Sequence, residues 1–225
     1  LEDVLATVVD ACINVTGTDR GFIFLRNQKG ELELRVGRDK TRRSLQAGDF
    51  QGSLSVIQDV GKGQQDIIVT NSMADERVSQ RQSVVGLDLR TIICLALRRL
   101  PTVDRLESTM TGLLSEVLGV IYLDSRLSTQ PFSDTDRQVL RSLALEAANV
   151  IENARLFNAA RAKEQLDQQL AIARTIQQAL LPKSFKRYRS FQVTGLVIPC
   201  LEVGGDYYDL IEMPDGRLAC VVADV

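Results

Sequence analysis

Between Pro131 and Pro182 the chain contains neither proline nor glycine. An uninterrupted run of this kind is a helix, and Ser133 is placed to cap it with Asp136 three residues on. The reading is one long helix, or two nearly collinear ones, of about 46 residues and roughly 70 Å. Such a length is too great to lie against one small sheet. Leu143, Ala147, Val150, Ala154 and Phe157 keep a 4-3-4-3 spacing, as do Leu166, Leu170, Ala173, Gln177 and Leu180. The two series are out of phase, so the seam slips near Asn158 to Ala162, where a two-stranded coil would change its winding. A dimeric coiled coil is therefore expected, with a surface helix of one domain as the alternative.

Ahead of this helix the pattern is mixed. Leu1, Val4, Leu5, Val8, Ala11, Cys12 and Val15 recur at helical spacing and Gly17 ends the run, which predicts a helix over 1–16. GFIFLRN and ELELRVGR, joined through Gln28, Lys29 and Gly30, read as a hairpin. SLSVIQDVGKG reads as a second helix closed by glycine, and DIIVT, TIICLALRR and EVLGVIYLDS as three more strands. Helix, hairpin, helix and three strands imply an α+β fold with an antiparallel sheet. Residues 100–115, with Pro101 and several charges, read as an exposed excursion.

Composition excludes several chemistries. The chain has 225 residues and no histidine, which removes Ser-His triads, Cys-His pairs and histidine-ligated metals. A formal charge of −2 gives no overall attraction to nucleic acid. No window reaches the apolar length of a membrane span and no signal peptide opens the chain, so a cytoplasmic, soluble protein is expected. Cys12, Cys94, Cys200 and Cys220 lie far apart in apolar contexts, and core packing is expected of each. A first residue that is leucine and an end at Val225 suggest an excerpt of something longer.

After Pro182, Lys183, Lys186, Arg187 and Arg189 with Phe185 and Tyr188 read as a solvated linker. FQVTGLVIP is strand-like, and EVGGDYYDLIEM and RLACVVADV flank a turn at Pro214, Asp215 and Gly216. A hairpin there brings Asp206 and Asp224 to one edge, where a hard divalent cation suits two carboxylates. A carboxylate at the end of a buried strand is costly without such a partner; the plainer alternative is two aspartates capping strand ends. ARTIQQALLP, EVGGDYYD and RLACVVADV, in this order, resemble the start of the SpoIIE/RsbU-type branch of the metal-dependent type 2C bacterial protein serine/threonine phosphatases. The resemblance covers about residues 171–225. It implies a β-sandwich domain with a two-metal Mn²⁺ or Mg²⁺ centre, in which Asp206, Asp224 and the backbone carbonyl of Val225 are ligands and a metal-activated water attacks phosphorus. It implies no catalytic residue beyond the metal ligands, and the remaining acids lie further on, so the chain as it stands is expected to be inactive. The GG(D/E)EF signature of diguanylate cyclases is rejected, because Tyr207 and Tyr208 replace Glu-Phe.

LEDVLATVVDACINVTGTDRGFIFLRN, TIICLAL, LGVIYLDS and FSDTDRQVLRSLALEAANVIENARLF resemble a GAF domain over about residues 1–157. That implies a six-stranded antiparallel sheet with flanking helices, dimerisation in many members and a small-molecule pocket in some, with the ligand unspecified. The pocket would lie between the sheet and residues 50–90, with Asp49, Asn71 and Arg81 as polar candidates. Arg77, Arg81 and Arg90 read as solvent-exposed charges rather than an anion site. The expected layout is a GAF sensor over 1–157, its last helix continuing over 136–181 as a coiled-coil linker, and the incomplete phosphatase domain over 182–225. By family analogy the substrate is a phosphorylated anti-anti-sigma-like protein and the assembly a homodimer. The alternative is a non-catalytic, ligand-responsive GAF dimerisation module.

Overall fold

The computed structural model describes residues 1–99, 116–127, 131–185, 192–199 and 203–224. The excursion over 100–115, most of the basic linker, Cys200, Glu202 and Val225 fall outside them. The chain divides into two compact units, Leu1–Arg155 and Leu156–Val225.

The first unit opens with α1 (Glu2–Thr16), whose Leu5, Val8, Val9, Cys12 and Ile13 are buried along one stripe. Gly17 ends it at φ 65, a left-handed conformation that costs glycine little, and donates its N–H to the Ile13 carbonyl. The hairpin β1 (Arg20–Arg26) and β2 (Leu32–Asp39) follows. Its turn is tied by Asn27, whose Oδ1 accepts from the N–H groups of Lys29 and Glu31. Next come α2 (Leu54–Gly61), β3 (Ile67–Val69), a short α3 (Gln82–Gly86), β4 (Thr91–Arg98) and β5 (Val117–Ser125).

The strands form one sheet in the order β2-β1-β5-β4-β3, antiparallel at every junction. β5 is central and all nine of its residues are buried, which is why it reads as a near-continuous apolar run. One face of the sheet presents Ile23, Leu95, Ile121 and Leu123 to a core shared with Leu5, Val9, Leu140 and Ile151. The other presents Phe22, Cys94 and Tyr122 to Val56, Ile57, Val60, Val84 and Leu89. Gly119 lets β5 approach β1, because a Cβ there would lie 2.2 Å from the Phe24 carbonyl oxygen.

Among the described residues the sheet of the first unit has five strands rather than the six implied by the resemblance. Beyond β2 the chain turns back through Arg42 at φ 62 and pairs with the sheet edge only at a single bridge, Arg38 to Ser44. It then enters a 3-10 turn at Ala47–Asp49, which ends the pairing before a strand can form.

Helix α4 (Asp134–Leu180) is one unbroken helix of 47 residues. Ser133 and Asp136 form the expected capping box: Ser133 Oγ accepts from the Asp136 N–H at 3.1 Å, and Asp136 Oδ2 accepts from the Ser133 N–H at 3.0 Å. Its buried stripe is Leu140, Ala144, Ala147, Ala148 and Ile151, packed into the first unit's own core. This corrects the first heptad series, since Ala147 is fully covered by its own sheet and is not free for a second copy.

In the second unit β6 (Tyr207–Glu212) and β7 (Leu218–Ala223) pair as an antiparallel hairpin. The predicted turn is present, with Gly216 at φ 85 and the Met213 N–H donating to the Arg217 carbonyl. Residues 192–199 contain no strand, contrary to expectation, although half-buried and exposed positions alternate along them. β7 is not buried either: Val222 is 85% exposed and Cys220 is exposed, unlike Cys12 and Cys94. Apolarity alone cannot tell a covered strand from one on a two-stranded hairpin, which has no second layer to bury it. Among the described residues no helix is long and apolar enough to cross a membrane.

Candidate functional site

The hairpin register settles how its acids are placed. Tyr207 pairs with Ala223, so Asp206 and Asp224, each the next residue outward, flank the same end of the ladder. Both are exposed, so the cost of burying a carboxylate, which the sequence suggested as a reason for a cation, does not operate here. What remains is two aspartates whose backbone positions flank one end of the ladder. Their chemistry fits the beginning of an oxygen-ligand site for Mn²⁺ or Mg²⁺, and among the described residues no third acid or cysteine joins them. Asp209, the last residue of the GGDYYD stretch, is not part of this pair. It lies within β6 opposite Val221 and its Oδ1 accepts from the Leu210 N–H at 2.8 Å.

Two side chains anchor the GGDYYD stretch. Gln177, on the last turns of α4, donates through Nε2 to the Gly204 carbonyl, and its Oε1 accepts from the Gly204 N–H at 3.1 Å. Tyr208 stacks on Phe185 with ring centroids 6.3 Å apart and donates its hydroxyl to the Gly195 carbonyl at 3.2 Å. The ring sits so close to Gly195 that a Cβ there would lie 2.4 Å from it. The one signal of this contact in the sequence is the polarity of Gln177 within an otherwise apolar 4-3-4-3 series.

In the first unit a groove of about 420 Å³ is lined by Gln64, Gln65, Asp66, Ile67, Arg77 and Arg81. It lies at the sheet edge formed by β3. Of the three candidates for a pocket, Arg81 alone lines it. Asp49 instead accepts from the Gln46 N–H at 2.8 Å, and Asn71 is exposed. The arginines carry partners: Arg77 with Asp75 at 2.6 Å, Arg81 with Asp59 at 2.8 Å and Arg90 with Asp88 at 3.1 Å. Asp75 is held below the usual carboxylate range by its hydrogen bonds from Arg77, which opposes any release of that pair.

The space over the other sheet face is filled from within. Phe50 meets Phe22, Phe24 and Tyr122 edge to face at 5.0, 5.2 and 5.7 Å. Its loop is fastened at both sides. The Ser53 N–H donates to the Tyr122 hydroxyl at 3.0 Å, and Arg20 Nη2 donates to the Gln51 carbonyl at 2.9 Å. Arg20 also grips the buried Asp124 with Nε and Nη2, each at 3.0 Å. Burial pushes the Asp124 carboxyl up to about 6, with Arg20 opposing. Neither residue was singled out from the sequence, because DS after an apolar strand and R before one look like ordinary strand ends.

A central antiparallel sheet with α1 and α4 on one face, and α2, α3 and a folded-back loop on the other, defines a sensor-type α+β domain. The sequence matches the GAF domain family over residues 1–151, and the chain belongs to that family. Solved structures of similar fold include GAF3 of a Synechocystis sp. PCC6803 protein in its photoproduct state, at 10% identity and a TM-score of 0.51, covering 70% of this chain and 96% of that one. A red/green cyanobacteriochrome in its green-light-absorbing state matches at 10% identity and a TM-score of 0.50, covering 70% and 97%. The GAF domain of a two-component sensor histidine kinase from Bacillus halodurans is 17% identical at a TM-score of 0.46, again covering 70% and 97%. At such identities the similarity speaks to the fold alone.

Proposed function

We propose that this GAF domain is the regulatory part of a cytoplasmic signalling protein whose output is a type 2C, metal-dependent protein serine/threonine phosphatase beginning at the β6–β7 hairpin. The observation that supports this reading is the register that sets Asp206 beside Asp224, at the two positions where the resemblance expects metal ligands. Mn²⁺ or Mg²⁺ bound there would supply a Lewis acid and an activated water. The chain's own contribution is to hold two carboxylates at one ladder end and to tie the preceding glycine to α4. A phosphoserine or phosphothreonine on an anti-anti-sigma-like partner is the proposed substrate. The test is Mn²⁺-dependent hydrolysis of a phosphoserine protein by the natural full-length protein. Turnover that is absent with Mn²⁺, or equal with and without it, would overturn the reading.

A second reading, a non-catalytic dimerisation module, is favoured by one observation. Beyond Arg155, α4 exposes Leu156, Phe157, Leu166, Ile172, Ile176 and Leu180, each more than half accessible. Of these, Leu166, Ile172, Ile176 and Leu180 share one face of the helix within about 120°, and a second copy of the same helix is the partner that such a stripe suits. Dimerisation is compatible with both readings; metal-stimulated turnover separates them.

A further inference from the structure

We propose that the arginine-rich turn closing β2, with Arg35, Arg42 and Arg43, is a docking surface for an acidic segment of a partner protein. Residues 35–43 read RVGRDKTRR, five cations and one acid in a chain whose formal charge is −2. Two of the five cations are already matched. Arg38 grips Asp10 of α1 through Nε and Nη2, each at 3.0 Å, and Lys40 Nζ lies 2.8 Å from Asp19. Arg35, Arg42 and Arg43 are exposed and form no ion pair with a described residue. Asp39 offsets one of the three, which leaves the turn two positive charges in excess.

The turn is built to hold its shape. The Asp39 N–H donates to the Arg43 carbonyl at 3.1 Å, and the Leu45 N–H to the Gly37 carbonyl at 2.8 Å. Asp39 Oδ1 accepts from the Thr41 N–H at 2.8 Å, the Thr41 hydroxyl at 2.7 Å and the Arg43 N–H at 2.9 Å. Two of the free arginines stand where the backbone leaves its regular path. Arg35 is the extra residue of a bulge, since Ile23 pairs with Val36 and Phe24 with Leu34. Arg42 has φ 62, a left-handed conformation that glycine or asparagine adopts at less cost. Bulges and left-handed residues re-aim side chains, and backbone strain of this kind concentrates at functional sites. Protection of an edge strand accounts for a charge within β2. It does not account for Arg42 and Arg43, which lie beyond the strand's end at Asp39.

The residue types select the occupant. A guanidinium fork matches a carboxylate with two parallel hydrogen bonds, and each of the three free cations is an arginine. Because the turn is braced in advance, little backbone ordering is lost when acidic side chains engage it. A lipid surface is met by apolar residues exposed beside the charges, and between Glu31 and Ser53 none of the large exposed hydrophobics falls. Single-stranded nucleic acid is met by exposed aromatic rings. The aromatic residue of this stretch, Phe50, is instead packed against Phe22, Phe24 and Tyr122.

The experiment is a titration of the isotope-labelled chain with a polyglutamate peptide at low salt, read as shifts of the amide signals of residues 40–44 and as a dissociation constant. A polyglutamine peptide should leave those signals unmoved. Arg42→Gln with Arg43→Gln should weaken polyglutamate binding by about tenfold, the effect of losing two exposed ion pairs. Lys163→Gln, which removes an exposed charge from α4, should bind like the unmodified chain. Arg42→Gly removes a charge and relieves the left-handed backbone, so it should bind more weakly yet unfold at no lower temperature. Lower thermal stability of Arg42→Gly would show that the arginine serves the turn rather than a partner, and would overturn the proposal. Equal affinities for the unmodified chain and the double variant, or equal shifts with polyglutamine, would overturn it too. Retention on phosphatidylglycerol vesicles without any shift by polyglutamate would assign the turn to a membrane and end the protein-partner reading.

Discussion

Asp124 is 1% exposed and Arg20 19% exposed, so their pair belongs to the interior, where removal of Arg20 leaves a buried carboxylate without its two guanidinium donors. Arg20→Ala should destabilise the first unit by about 3 kcal/mol, the lower end for breaking a buried pair, and should free the Phe50 loop at Gln51. Arg20→Lys should recover only part of this, because an ammonium cannot match two carboxylate oxygens and the Gln51 carbonyl at once. Chemical denaturation at neutral pH measures both. The same carboxyl makes a signed prediction about pH. Its folded value of about 6 exceeds its ordinary 3.8 because burial disfavours the charged form, so between these values the folded state binds more protons than the unfolded one. The contribution of Asp124 to stability is therefore greatest at low pH and is lost as pH rises towards 6, by at most about 3 kcal/mol. Asp19, Asp39, Asp75 and Asp136 act in the opposite sense. Their carboxyls are lowered, so what they contribute is present above 3.8 and lost as pH falls through their folded values. Denaturation of the unmodified chain and of Asp124→Asn from pH 4.5 to 7.5 isolates the first effect: the stability of the unmodified chain relative to the variant should fall as pH rises from 4.5 and level off above about 6. A constant difference would mean that Asp124 stays ionised throughout.

Among the elements, α4 shows most plainly what a sequence pattern can and cannot specify. Its existence, its start and its cap at Ser133 were legible, since absence of proline and glycine and a Ser-x-x-Asp box are local facts. Ser133→Ala should cost about 1 kcal/mol in the stability of the first unit, measured by thermal or denaturant unfolding. What covers each face was not legible. The spacing of Leu143, Ala147, Val150, Ala154 and Phe157 is equally suited to a partner helix and to the domain's own sheet, and Ala147 went to the sheet. The strands of the sheet were readable from β-branched and apolar runs, whereas α3, five residues long, carries too little periodicity to be seen. The hairpin and its turn chemistry were readable as well. Its exposure was not, because β7 is as apolar as a covered strand. The site divides in the same way: turn residues and strand length place Asp206 near Asp224, but the Gln177 amide meets Gly204 across 27 positions of chain, which no local pattern encodes. The exposed stripe beyond Arg155 makes its own prediction. Ile172→Glu with Ile176→Glu should convert a dimer into a monomer in sedimentation or light scattering at micromolar concentration, while Asp167→Lys, on the opposite side of the helix, should not. A monomer mass for the unmodified chain would remove the second-copy proposal.

For the molecule as a whole, the question is whether α4 conveys the state of the GAF domain or only tethers it. The helix begins in the core of the first unit, at Leu140, Ala144 and Ile151, and its later turns carry Gln177, which holds Gly204. A continuous α-helix transmits rotation, and each added residue turns everything downstream by about 100°. Insertions between Arg161 and Gln165, within or beside the phase slip, therefore discriminate between the two roles. One added residue rotates Gln177 by about 100° and two by about 200°, while four return it to within about 40° and seven to within about 20° of its starting direction. If the helix conveys a rotational state, metal-dependent turnover in the natural full-length protein, or Mn²⁺ broadening at Asp206 in the labelled chain, should follow this phase. Two-residue insertions should then depart most from the parent and seven-residue insertions least, although the latter lengthen the helix more. Alanine insertions suit the test because they preserve helicity, which circular dichroism confirms. A passive tether predicts a different order, with all lengths alike or with departure growing steadily with length. That order, observed in a protein whose helicity is intact, would end the rotational account and leave the Gln177 contact as a local brace of the hairpin.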